Sequence, residues 1–145
     1  MTVDLEKSLI SYIWDLLTED TALKVLMGGT VRCYLDWAKT DAEFPYLVHR
    51  LDIHRHSGTH VVQRATHFID IWSDSPNANE ALAIRERLVQ LLDERIFNTA
   101  DVSRVHIEFF SSGSIPEVEQ GIWHRATIWE WILRRDSEAA AIEGR

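Results

Sequence analysis

The sequence predicts an α+β domain: a mostly antiparallel sheet of about five strands with helices packed on it, in the order α-(α)-β-β-β-α-β-β. Three observations lead there. Residues 44–72 read as two long strands folded about Gly58, which is a large hairpin for so small a chain. A helical pattern over residues 75–94 separates that hairpin from a second pair of strands. Apolar residues near the N-terminus recur at helical spacing. Strands that arrive as hairpins, with one helix between them, argue against a doubly wound parallel fold.

Taken in order, Asp4 is placed to cap a first helix in which Leu5, Leu9, Tyr12, Ile13, Leu16 and Leu17 share a face. Glu6, Lys7 and Asp15 fall on its other side. A short second helical turn over 21–27 ends at Gly28-Gly29, a pair that supplies the positive φ of a helix C-cap. A phosphate-cradling role for those glycines has no supporting G-x-x-x-x-G-K-[ST] or G-x-G-x-x-G pattern around it.

The first strand spans about residues 31–36, and the polar residues 38–43 form a loop. Pro45 fits only the first residue or an edge of the following strand. In that strand Leu47, Leu51 and Ile53 share one face and Arg50, Asp52, His54 and His56 the other. This is the alternation of a half-buried antiparallel strand. Ser57-Gly58-Thr59 turns the chain, and the third strand continues over 60–72. Ser75-Pro76 marks a helix start, with Ser as N-cap and Pro at the first helical position. Ala81, Ile84, Leu88, Leu91 and Leu92 form that helix's apolar face. A fourth strand turns Val105, Ile107 and Phe109 inward, residues 111–121 read as a loop, and the last strand covers 122–133.

That last strand is apolar on both faces. Ile122, Ala126, Ile128 and Ile132 lie on one side, and Trp123, Trp129, Trp131 and Leu133 on the other. Phe68, Ile69, Ile71 and Trp72 show the same doubling. Either helices pack on both faces of the sheet, or a neighbouring subunit covers the second face, since large apolar patches mark interaction sites. The candidate contact residues are Phe68, Trp72, Trp123, Trp129 and Trp131, with Arg50 and Arg55 beside them.

A chain of 145 residues with 46% hydrophobic content is expected to form one domain with a true core, over residues 1–136. Residues 137–145 read as a flexible appended tail, in which an Ala-rich linker precedes a factor Xa-like Ile142-Glu143-Gly144-Arg145. The start shows no signal-peptide pattern, and no apolar run approaches the ~20 residues of a membrane span. A formal charge of −8 argues against nucleic-acid binding and against docking on an anionic membrane. One cysteine excludes an intramolecular disulfide framework. Inside its apolar stretch, Cys33 is read as a small core residue rather than a catalytic thiol.

Little in the sequence points to chemistry. His54, His56 and His60 are the one cluster resembling a metal site, and three imidazoles can hold Zn²⁺ with an open fourth position. They lie around a turn with Arg55 among them, so the expectation is a solvated polar tip and no bound metal or other cofactor. That tip gains positive charge in mild acid, which would make assembly through it pH-sensitive. No G-x-S-x-G framework supports a hydrolase. Glu117 and Glu119 beside Pro116 read as a solvated charge run, and Trp123-His124-Arg125 is too short for a base-stacking platform.

With the elements in order, the chain resembles the tail completion proteins of long-tailed bacteriophages and prophages, the group that includes tail terminators and tail-to-head joining proteins. The resemblance lies in the first helix, residues 20–31, Phe44-Pro45-Tyr46-Leu47-Val48, Phe68-Ile69-Asp70-Ile71-Trp72 and residues 123–131, and it extends from about Leu5 to Leu133. It implies a virion protein that is not an enzyme and has no catalytic residues to carry over. It further implies a ring, often hexameric, at the head-proximal end of the tail. Its partners would be copies of itself, the tail tube protein and the head connector, with assembly in the host cytoplasm. The histidine-rich tip is not part of the resemblance. A head-side neck component remains open within the same class; a small zinc-dependent enzyme on His54, His56 and His60, or a ligand-binding α+β dimer, are the alternatives from other classes.

Overall fold

A computed structural model of the chain describes residues 5–54, 62–99 and 104–134. Its elements are α1 (Leu5–Glu19), α2 (Thr21–Leu26), β1 (Cys33–Leu35), β2 (Tyr46–Ile53), β3 (Val62–Ser73), α3 (Asn79–Leu92), β4 (Ile96–Phe97), β5 (Arg104–Ile115) and β6 (Trp123–Arg134). The α+β class is as expected, but the sheet is mixed and has six strands, ordered β1-β2-β3-β6-β5-β4. Two features absent from the sequence reading account for the difference. The two-residue β4 pairs with β5, and β1 pairs with β2 in parallel.

The parallel pair has an identifiable cause. After β1 the chain must return to its starting level before β2 begins, and Arg32 fixes that return. Its Nε donates to the carbonyls of Glu43 and Pro45 at 3.0 and 3.1 Å. Its Nη2 donates to Met27 and Phe44 at 3.0 and 3.1 Å. One guanidinium, with its fork of N–H donors, thus ties the loop to the end of α2. The Phe44-Pro45 bond in this loop is cis.

Local chemistry sets the helices. Leu9, Ile13 and Leu17 of α1 are fully buried, as their spacing predicts. Asp20 caps α2 by accepting from the Leu23 N–H, and its carboxylate also takes two hydrogen bonds from Arg87 of α3. Gly28 and Gly29 have φ of 84° and 111° and close α2: Gly29 N–H donates to Lys24 C=O, and Gly28 N–H to Val25 C=O. That is the paired bonding of a Schellman cap. Helix α3 starts later than the Ser75-Pro76 signal suggests, at Asn79, with Ala78 as N-cap and no side-chain cap. Ser73 instead holds the approach by donating to Glu80 at 2.7 Å.

The core is one layer deep. Leu47, Leu51, Ala65, Ile69, Ile71, Val105, Ile107, Trp129, Trp131 and Leu133 face the apolar sides of α1, α2 and α3. Alternate residues along β2, β3 and β6 point to the other face, where they are mostly half-buried. Among the described residues no helix covers that second face.

Candidate functional site

The uncovered face is aromatic at one end, acidic further along and basic at the far end, where Arg64, Arg104 and Arg134 stand on it. At one end Tyr46, Trp72, His124 and Ile115 stand opposite one another across β2, β3, β6 and β5. Trp72 stacks on the His124 ring at 3.8 Å and on Tyr46 at 6.0 Å, and Tyr46 meets both Tyr34 and Phe44. In the middle Arg50, Phe68, Ile128 and Ser111 align. The Arg50 guanidinium lies 4.3 Å from the Phe68 ring centroid and 3.4 Å from Asp52. Further along, Asp52, Thr66, Glu130 and Glu108 align. Glu108 and Glu130 are directly opposite, an arrangement that costs stability for like charges in an isolated subunit.

His124 ties this face to the 116–122 loop. Its Nδ1 is 2.6 Å from Glu117 and its Nε2 3.0 Å from Asp70. Burial disfavours the imidazolium, but hydrogen bonds to Asp70 and Glu117 outweigh it and raise the His124 pKa above its ordinary value. Glu117, read from sequence as a solvated charge, is therefore a loop anchor.

The predicted contact residues divide between the faces. Phe68, Trp72 and Arg50 occupy the uncovered face, where Arg50 and Phe68 are in contact. Trp129 and Trp131 are fully buried under the helices and belong to the subunit core. Trp123, 37% exposed, sits at the sheet end and donates from Nε1 to the Ser75 carbonyl. Arg55, His56 and His60 lie outside the described residues. His54 is within them, and its Nε2 pairs with Thr66 Oγ1 at 2.7 Å. Glu94, His106 and Glu108 form a solvent-facing carboxylate–imidazole group that no sequence spacing had indicated. Burial pushes the Cys33 thiol up to about 12, so it is not a thiolate at neutral pH.

The sheet edges are the second candidate surface. Beside β1, Leu35 and Trp37 are exposed, Trp37 by 78%. At the opposite edge, Phe110 is 65% exposed, with Ile115 and Val118 also in solvent. Phe110 is the extra residue of a β-bulge, because β5 shifts register between Phe109 and Ser111. The strand then continues to Ile115 through residues read as loop, carried by the full length of β6 beside it. A groove of ≈ 470 Å³ between α2 and α3, lined by Ala22, Val25, Leu26, Ala83, Glu86, Arg87 and Gln90, brings together no reactive groups. No helix among the described residues is long and apolar enough to cross a membrane.

The fold matches solved structures at low sequence identity. A chain from the virion of a native gene transfer agent particle superposes with a TM-score of 0.75 at 14% identity, covering 92% of this chain and 99% of that one. A second solved chain of no stated function gives a TM-score of 0.63 at 13% identity, covering 91% and 98%. No curated protein matches the sequence. The family model described as tail completion protein gp17 matches residues 11–133, nearly the whole described domain. The chain belongs to the tail completion protein gp17 family and is a structural protein of the phage tail.

Proposed function

We propose that this chain assembles as a ring, hexameric in the simplest case, at the head-proximal end of the tail, where it terminates the tail tube and joins it to the head connector. The role is non-enzymatic and needs no cofactor. One observation carries this reading: the folded subunit leaves large apolar side chains in water at both edges of its sheet, Leu35 and Trp37 on one side and Phe110, Ile115 and Val118 on the other. Two different sticky surfaces are what a closed, head-to-tail ring requires. The uncovered face, with Phe68, Trp72 and Arg50, then remains for the tube or the connector. The chain's net charge of −8 would let DNA pass beside it without adhering.

Native mass spectrometry and electron microscopy of the purified protein test the reading. A ring-mass species that rescues head joining of tails lacking this protein is the expected result. A protein that stays monomeric at all concentrations, both alone and with purified tails, would overturn it.

A further inference from the structure

The subunit contact can be specified further, and this step rests on the ring reading above. We infer that the ring closes by strand pairing: the free edge of β5 beyond its bulge, residues 110–115, adds to the free edge of β1 in a second copy of this chain.

The backbone bonding shows which groups are free. Ile107 N–H donates to Arg95 C=O, and Phe109 N–H to the Asp93 carboxylate, so these residues turn their backbone away from β6. The bulge at Phe110 shifts the alternation by one. Beyond it, Ser112 and Ser114 are the residues whose N–H and C=O point away from β6. Strand β4 pairs only with Val105 and His106, so it does not reach them. At the other edge, Leu47 N–H donates to Arg32 C=O and Asp36 N–H to His49 C=O. Even-numbered residues there face β2, so Cys33 and Leu35 turn their backbone outward, where the Leu35 C=O already accepts from the Trp37 N–H.

Each edge therefore offers outward groups at a spacing of two, those of Ser112 and Ser114 on one and those of Cys33 with the Leu35 N–H on the other. Each is flanked by exposed apolar side chains, Leu35 and Trp37 on one and Phe110 and Ile115 on the other. Residues 110–115 also lack the guards that edge strands normally carry. The segment Phe110-Ser111-Ser112-Gly113-Ser114-Ile115 has no charge and no proline until Pro116. An edge of this kind fits an extended backbone, by strand addition. Because β1 and β5 lie on opposite sides of the sheet, joining them is heterologous, and it propagates in one direction until a ring closes.

The test is Ser114→Pro. Its N–H is not used by any of the described residues, so proline there removes no bond to β6 while blocking an added strand. The expected result is a monomer with unchanged circular dichroism where the wild type forms rings. Hydrogen exchange supplies the second measurement: in wild-type rings, but not in dissociated subunits, the Ser112 and Ser114 amides become protected. Wild-type rings whose Ser112 and Ser114 amides exchange as fast as in the monomer would overturn strand pairing while leaving the ring itself intact. Protection already present in the monomer would overturn it too, because the edge would then be covered within the subunit. A wild type that forms no ring alone or on tails would sink both readings.

Discussion

On the helix-covered face, His49 and His67 meet across β2 and β3 with Nδ1 and Nε2 3.0 Å apart, and the outer nitrogen of each ring has no partner among the described residues. On the uncovered face, His124 sits between Asp70 and Glu117, stacked on Trp72. Burial holds the His49 pKa down at about 4 and that of His67 well below its ordinary value, the latter also opposed by His49. His124 shifts the other way. The same side chain is thus a neutral packing group on one face and a charge-bearing clasp on the other. A face sealed by helices excludes water and leaves an imidazolium uncompensated, whereas an open face supplies carboxylates that water keeps ionised.

The largest effect that separates the faces is one of packing. Trp131 is fully buried against Phe97 and His67, so Trp131→Ala should destabilise the subunit by about 3–5 kcal/mol. Phe68 is half-buried and open to solvent on one side. Phe68→Ala should therefore cost the subunit about 1–2 kcal/mol, a fraction of a full core truncation. Urea unfolding of both variants under monomeric conditions decides this. Equal losses would mean that the second face is as well packed as the first.

Acid is the next discriminator. The depressed pKa values of His49 and His67 mean that the unfolded chain binds protons before the folded one does. Their contribution to stability is complete above about pH 6.5 and is lost as pH falls toward 4; the shift of His49 alone corresponds to about 3 kcal/mol. The part between pH 6.5 and 5 precedes most carboxylate titration, so unfolding free energies measured across that interval isolate the pair. A His49→Leu, His67→Leu double variant should flatten the slope there, and an unchanged slope would assign it elsewhere.

A smaller loss should come from the edge that joins the two faces. Arg32→Ala removes four charge-assisted hydrogen bonds to backbone carbonyls in a part-buried site. A cost of about 2 kcal/mol is expected, with faster amide exchange over residues 36–45. Full stability in this variant would show that the return loop holds without it.

Arg32 also shows why part of the fold was hidden in the sequence. Period-two alternation located β2, β3 and β6 and identified the inward Leu47 and Leu51 of β2, because a half-buried strand imprints its environment on every second position. The parallel pairing of β1 left no such trace. It depends on one arginine gathering carbonyls, and an arginine between Val31 and Cys33 reads as an ordinary surface residue. Ser111-Ser112-Gly113-Ser114 has turn-like composition and is a strand only because β6 lies along it. The His49–His67 pair was equally unreadable, since it required the β2–β3 register. The candidate surface was legible where aromatic and apolar residues sit at outward positions, as with Phe68 and Trp72. It was not legible for Trp129 and Trp131, where interface and core make the same demand on composition.

The smallest effect tests the clasp itself. Because the His124 pKa is raised, its contribution to stability is fully present below about pH 6.5 and is lost as pH rises through the folded value, opposite in sign to that of the buried pair. Its ring is largely buried, so removing a carboxylate should let burial prevail. In an NMR titration His124 of the wild type should have its midpoint above 6.5, and Asp70→Asn should lower it while His49 and His67 stay neutral in both proteins. If the midpoint did not move, Glu117 alone would hold the charge. The uncovered face would then depend on the 116–122 loop, rather than on β3, for the orientation of His124 beneath Trp72.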